Sequence, residues 1–173
     1  MGAFTYPRSE PGSAGHQDLV ERLNANTATL RREVAGLPEA VLTYRPGGGA
    51  WSIKELCGHL RDHAQFLHRR LFTMIKLEEP RLESYDQEAL VREHNPQAAP
   101  IEELLAELTA QRNATVELLA DLVHWNWARQ GRHAELGRVS IRQLVDRALQ
   151  HDDTHLAQIR GLKEEAASAV GNR

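Results

Sequence analysis

The chain has 173 residues, 41% of them hydrophobic and 26% charged, with a formal net charge of −3 at pH 7. That size fits one compact domain able to fold on its own core. A slightly acidic balance is a poor match to a phosphate backbone, so no nucleic-acid partner is expected. There is no apolar run long enough for a membrane span, and no basic-then-apolar opening of a secretory signal. The single cysteine, Cys57, cannot close an internal disulfide, which fits a reducing cytoplasm. Histidine, with nine copies, is the unusual residue.

Residues 1–15, with two prolines and three glycines and no periodicity, read as a flexible leader. A single domain is expected over 16–168, with a tail at 169–173. Over 16–37, Leu19, Val20, Leu23, Leu30, Val34 and Leu37 recur at helical spacing. The Pro- and Gly-rich stretch 37–51 is a connection. Ser52 with Glu55 has the form of a capping box and predicts the start of a second helix. Its stripe runs Ile53, Leu56, Cys57, Leu60, Ala64, Leu67, Leu71 and Met74 or Ile75, ending near Leu77. The stretch 78–99 is long for a loop, so it either crosses the molecule or holds a short helix near 85–93. Pro100 suits the first position of a third helix, with Ile101, Leu104, Leu105, Leu108, Val116, Leu119 and Leu122 on one face. A Trp- and Arg-rich connection, 124–139, leads to a second capping-box form, Ser140 with Gln143. A fourth helix follows with Ile141, Leu144, Val145, Ala148, Leu156, Ile159 and Leu162.

Four amphipathic stripes and nothing strand-like predict an all-α four-helix bundle. The long connection lets the second and third helices run parallel, which gives the order up-down-down-up.

Two histidine pairs stand four apart, His59 with His63 and His151 with His155. One turn of helix puts each pair on one face, where both rings can reach a single ion. His155 falls within the apolar stripe of the fourth helix, His151 at its margin and His63 at the edge of the second helix's stripe. The residues alone therefore propose His151 and His155 as ligands, with His59 or His63 completing three. Three neutral imidazoles leave a coordination position for water or substrate. Packed or solvated helix histidines are the plain alternative.

WSIKELCGHLRDHAQF around His59 and HDDTHLAQIRG around His151 and His155 resemble the DinB-like superfamily, in particular its metal-dependent thiol-transferase branch. HAELGRVSIRQL and ESYDQEAL are similar to that branch's entry to the last helix and to its crossover. The resemblance runs from about His16 to Lys163. It implies an up-down-down-up four-helix bundle with one divalent metal, zinc or nickel, held by His59, His151 and His155, with His63 the weaker alternative. It also implies a homodimer and transfer of a low-molecular-weight thiol, such as bacillithiol, mycothiol or glutathione, to a small electrophilic substrate. Gln150, Asp152, Asp153 and Thr154 depart from that branch's pattern and bear on which thiol would be used.

Asp152 faces the apolar stripe, where it either orients an imidazole or pairs with an arginine from another helix. Arg129, Arg132 and His133 are candidates to receive an anionic group of a thiol cofactor, against a plain reading as solvated loop. Asp62 falls on the solvent side of its helix, and Cys57 reads as a small core residue. Trp51, Trp125 and Trp127 pack at helix ends, where two could line a pocket mouth. Glu78, Glu79, Glu164 and Glu165 read as solvated surface. Two rival functions remain: metal-assisted hydrolysis with Asp152 or Asp153 as base, and a non-catalytic, stress-associated metal-binding module.

Overall fold

The computed structural model describes residues 13–171. The first twelve residues of the expected leader, and the last two of the expected tail, lie outside the described residues. Helix α1 spans Ser13–Val34 and so begins inside the stretch expected as leader. Gly36, at φ +70, turns the chain after it, a left-handed conformation that glycine adopts without a Cβ penalty. Leu37 therefore lies beyond the helix. A single turn, α2, follows at Glu39–Leu42.

Helix α3, Ile53–Lys76, starts at the expected cap. Ser52 Oγ accepts from the Glu55 amide at 3.2 Å, and Glu55 Oε2 accepts from the Ser52 amide at 2.9 Å. The crossover holds a short helix α4, Gln87–His94, capped by the Asp86 side chain. A 3₁₀ turn at Pro96–Ala98 leads to α5, Ile101–Ala120, with Pro100 at the N-cap, one residue earlier than expected. Helix α6, Ile141–Gly171, reaches into the expected tail. Ser140 and Gln143 exchange the same reciprocal pair of cap bonds, at 2.8 and 3.1 Å.

One expectation fails. The connection 124–139 is not free of strands: β1, Gln130–His133, pairs antiparallel with β2, Gly137–Ser140. The segment after α3 joins this ribbon, since the Leu82 amide donates to the Arg132 carbonyl and the Arg132 amide to Pro80. Leu82 packs onto Gly131 so closely that a Cβ there would lie 2.8 Å from its Cδ2. The ribbon is four residues a side and carries no strong alternation, so the sequence offers little to announce it.

Cross-helix contacts establish the directions. Arg61 meets Glu107 and His68 meets Thr115, so α3 and α5 run parallel. Asn26 meets Asp153 and Glu33 meets Arg160, so α1 and α6 run parallel. Leu56 and Leu60 of α3 share a cluster with Leu156 and Ile159 of α6, while Leu67 and Leu71 share another with Ile141 and Leu144. Those two helices therefore run antiparallel, and the order is up-down-down-up. The bundle core is these two apolar clusters, one near the N-terminus of α3 and one beneath the ribbon.

Candidate metal centre

The N-terminal half of α3 presents His59 inward, 1% exposed. From the antiparallel α6, His151 and His155 face it one turn apart. His59 Nε2 lies 2.8 Å from His151 Nε2, and His155 Nε2 lies 3.1 Å from the same atom. The ligand atoms of the three all fall within 4.8 Å of one another. In a tetrahedral zinc site with Zn–N near 2.1 Å, neighbouring nitrogens are about 3.4 Å apart, so the two short sides of this triangle need only a slight opening to take a small ion.

The chemistry of the donors agrees with that geometry. Burial, then repulsion from His155, pushes the His59 imidazole down to about 4. Burial and the neighbouring His155 and His59 push His151 to about 3. Burial also lowers His155. All three rings are therefore neutral at pH 7, the form that ligates a metal. Gln158 Oε1 accepts from His155 Nδ1 at 2.6 Å, which leaves the Nε2 lone pair for the triangle. His59, His151 and His155 could thus hold a divalent ion.

His63 is not in the triangle. Its ring stacks on His151 at 4.0 Å between centroids, and its Nδ1 is buried without a hydrogen-bond partner. It belongs to a second group, with His151 and Asp152. Of the two roles open to Asp152, the structure shows the arginine pair. Arg112 Nη2 of α5 donates to its two carboxylate oxygens at 2.9 and 3.1 Å, and both residues are buried. Burial pushes the Asp152 carboxyl up to about 6 against the opposing pull of Arg112, so it is still ionised at pH 7. Arg112 was legible as an anomaly, because it fills the stripe position between Leu108 and Val116 where an apolar residue is due. Asp153 faces outward to Asn26 and Arg22. Neither aspartate lines the cavity that His155 borders.

His155 lines a cavity of about 530 Å³. Trp51 from the approach to α3, Glu88 of α4, and Gln158, Leu162 and Glu165 of α6 share that wall. Glu165 had read as solvated surface; it is exposed, yet it lines this cavity and accepts from the Tyr44 hydroxyl at 3.1 Å. Glu88 and Gln158 carried no signal in the sequence, since nothing local shows that a crossover residue and the outer flank of α6 meet.

The anion-receiving candidates lie elsewhere. Arg129 donates to the carbonyls of Met74 and Leu77, closing the C-terminus of α3, and Arg132 pairs with Glu79. His133 accepts from the Glu135 amide within the ribbon turn. Met74 is fifteen residues beyond His59, roughly 22 Å along the helix at 1.5 Å per residue. These three side chains are fastenings of the ribbon end, and none lines the cavity beside His155.

Asp62 does not lie on the solvent side of its helix. It is buried, not solvated, because the crossover covers it: Arg61 Nε donates to Oδ1 at 2.9 Å and His94 Nδ1 lies 3.0 Å from Oδ2. Cys57 is fully buried, and burial pushes its thiol up to about 12, so it is a core residue rather than a nucleophile. Trp51 lies 5.1 Å from the His59 ring and Trp127 stacks on His16, whereas Trp125 is 71% exposed.

A bundle of this order with inward histidines on its second and last long helices defines a class. Residues 22–159 match the model of the DinB superfamily, and the chain belongs to that superfamily. It is 31% identical over 122 residues, 69% of this chain and 68% of the relative, to a protein of Oceanobacillus iheyensis named "Putative metal-dependent hydrolase OB0782". It is 24% identical over 149 residues to YuaE of Bacillus subtilis, covering 79% of this chain and 92% of that one. In fold it is similar to YfiT of Bacillus subtilis, with a TM-score of 0.84 and 20% identity over 93% of both chains. That structure is described as "a probable metal-dependent hydrolase with an unusual four-helix bundle topology".

Proposed function

We propose that this chain is a metal-dependent hydrolase of small molecules, with one divalent ion held by His59, His151 and His155. The observation that carries the reading is the convergence of three neutral imidazole nitrogens, one of which, that of His155, belongs to the wall of a cavity large enough for a small molecule. A divalent ion bound there lowers the pKa of a water or thiol that reaches it. Gln158 holds the His155 tautomer. Trp51 and Leu162 give the cavity an apolar wall for the body of a substrate. The names of two relatives support hydrolysis.

Thiol transfer is the second reading, favoured by the Trp51-Ser52-Ile53 opening of α3 and the His151 and His155 spacing. Against it, the cavity offers no arginine or lysine to an anionic thiol cofactor.

Elemental analysis of the purified protein should find close to one equivalent of zinc or nickel, and His151→Ala should lose it. Zinc-loaded protein should then cleave members of an ester and amide panel with no thiol present. Turnover that appears only with added thiol and an electrophile transfers the assignment to the second reading. Failure of the wild type to take up any divalent metal removes both.

A further inference from the structure

The cavity beside His155 has a charge pattern that the histidine site does not require. Glu88 comes from the crossover helix and Glu165 from α6, and the two reach one cavity wall that has no lysine or arginine in it. Nearby cations are engaged with other acids: Arg45 with Glu55, Lys54 with Glu39, and Lys163 with Glu33. Glu88 forms no ion pair among the described residues, and Glu165 is steadied by the Tyr44 hydroxyl. The Trp51 ring lies on the same wall, and an indole face attracts an organic cation.

We infer that the substrate carries a protonated amine or guanidinium, which Glu88 and Glu165 receive while its reacting group meets the imidazole site. This inference rests on the hydrolase reading and names its substrate class. Two carboxylates in a concave, partly apolar wall concentrate cations and repel carboxylates, and the effect fades with salt.

Three hydroxamates of matched length test this by calorimetry on zinc-loaded protein: 6-aminohexanoyl, hexanoyl and 5-carboxypentanoyl. The hydroxamate anchors on zinc, and only the far end differs in charge. The amine probe should bind about five- to tenfold tighter than the neutral one at low salt, a margin appropriate to two exposed carboxylates. The acid should bind weakest. The double variant Glu88→Gln, Glu165→Gln should erase the order and keep the neutral probe's affinity, and 1 M salt (about a 3 Å screening length) should compress it. Equal affinities for the three probes overturn the inference and leave the metal reading standing. Zinc uptake with no probe bound also overturns it alone, because the cavity is then not the approach to the ion. No zinc uptake overturns both.

Discussion

Along the C-terminal half of α3, Leu67, Leu71 and Met74 meet Ile141, Leu144 and Val145 of α6 in an apolar cluster. Along its N-terminal half the same two helices meet through His59, His63, His151 and His155, with Arg112 and Asp152 behind them. Leucines flank both stretches, and burial in the second lowers the titration of the imidazoles it encloses. The difference lies in what burial does to each. Apolar side chains gain from it at about 25 cal/mol per Å². Imidazoles and an ion pair are penalised by it unless each polar atom finds a partner. Here several do not: His63 Nδ1, His151 Nδ1, and Nε and Nη1 of Arg112 are buried without one. One half of the α3–α6 contact holds the bundle together, and the other half holds groups that stability alone would not select.

The sharpest way to break this contrast is to unpair the buried charge. Arg112→Leu leaves the Asp152 carboxylate alone in the core and should cost about 3–5 kcal/mol in urea unfolding. Adding Asp152→Leu should recover most of that loss. A double variant no more stable than Arg112→Leu would show that the pair does not act as a unit.

Acid should strike the polar half next. His59 and His151 titrate lower in the fold, at about 4 and about 3, than the ordinary 6.5. Between those values the unfolded chain binds more protons, so stability is full above 6.5 and falls as pH drops toward 4. Each imidazole should cost up to about 1.4 kcal/mol per pH unit in that window. Metal-free protein should show the fall in Tm between pH 7 and pH 5. Zinc-loaded protein should resist it until the ligands protonate. A metal-free Tm that is flat over this range would contradict the burial of these rings.

Gly58 tests the join between the site and the crossover. A Cβ there would lie 2.3 Å from Pro96 Cγ and 2.7 Å from Pro96 Cβ, and a proline ring cannot swing aside. Gly58→Ala should cost about 1–3 kcal/mol by overpacking. The matched change Gly161→Ala, where a Cβ meets nothing within 4 Å, should be stabilising or neutral. The smallest effect on the fold is expected from Gln158→Leu, which frees the His155 ring. Zinc affinity, read by chelator competition, should fall about 10- to 100-fold with the fold intact. Unchanged affinity would show that Gln158 does not fix the tautomer.

Much of the scaffold was legible because its signals are local. Ser52 with Glu55 and Ser140 with Gln143 mark both cap sites within three residues, and the leucine stripes give four long helices and an all-α class. The histidine spacing put each pair on one face, but it could not choose between His59 and His63. About one turn separates His59, in the triangle, from His63, stacked on His151, and the way α3 packs against α6 makes that difference. The ribbon was missed because four-residue strands carry too little pattern.

What the amino-acid order determined by itself was therefore whatever depends on neighbours within a helical turn: element type, cap positions, stripe faces, and which histidines travel together. Only the tertiary structure decided which side chains from distant elements share a space. It buried Asp62 beneath His94, paired Asp152 with Arg112, carried Arg129 to the far end of α3, and brought Glu88 and Glu165 to the wall beside His155. Periodicity records the direction in which a side chain leaves its own helix. It holds no record of what another helix sends to meet it.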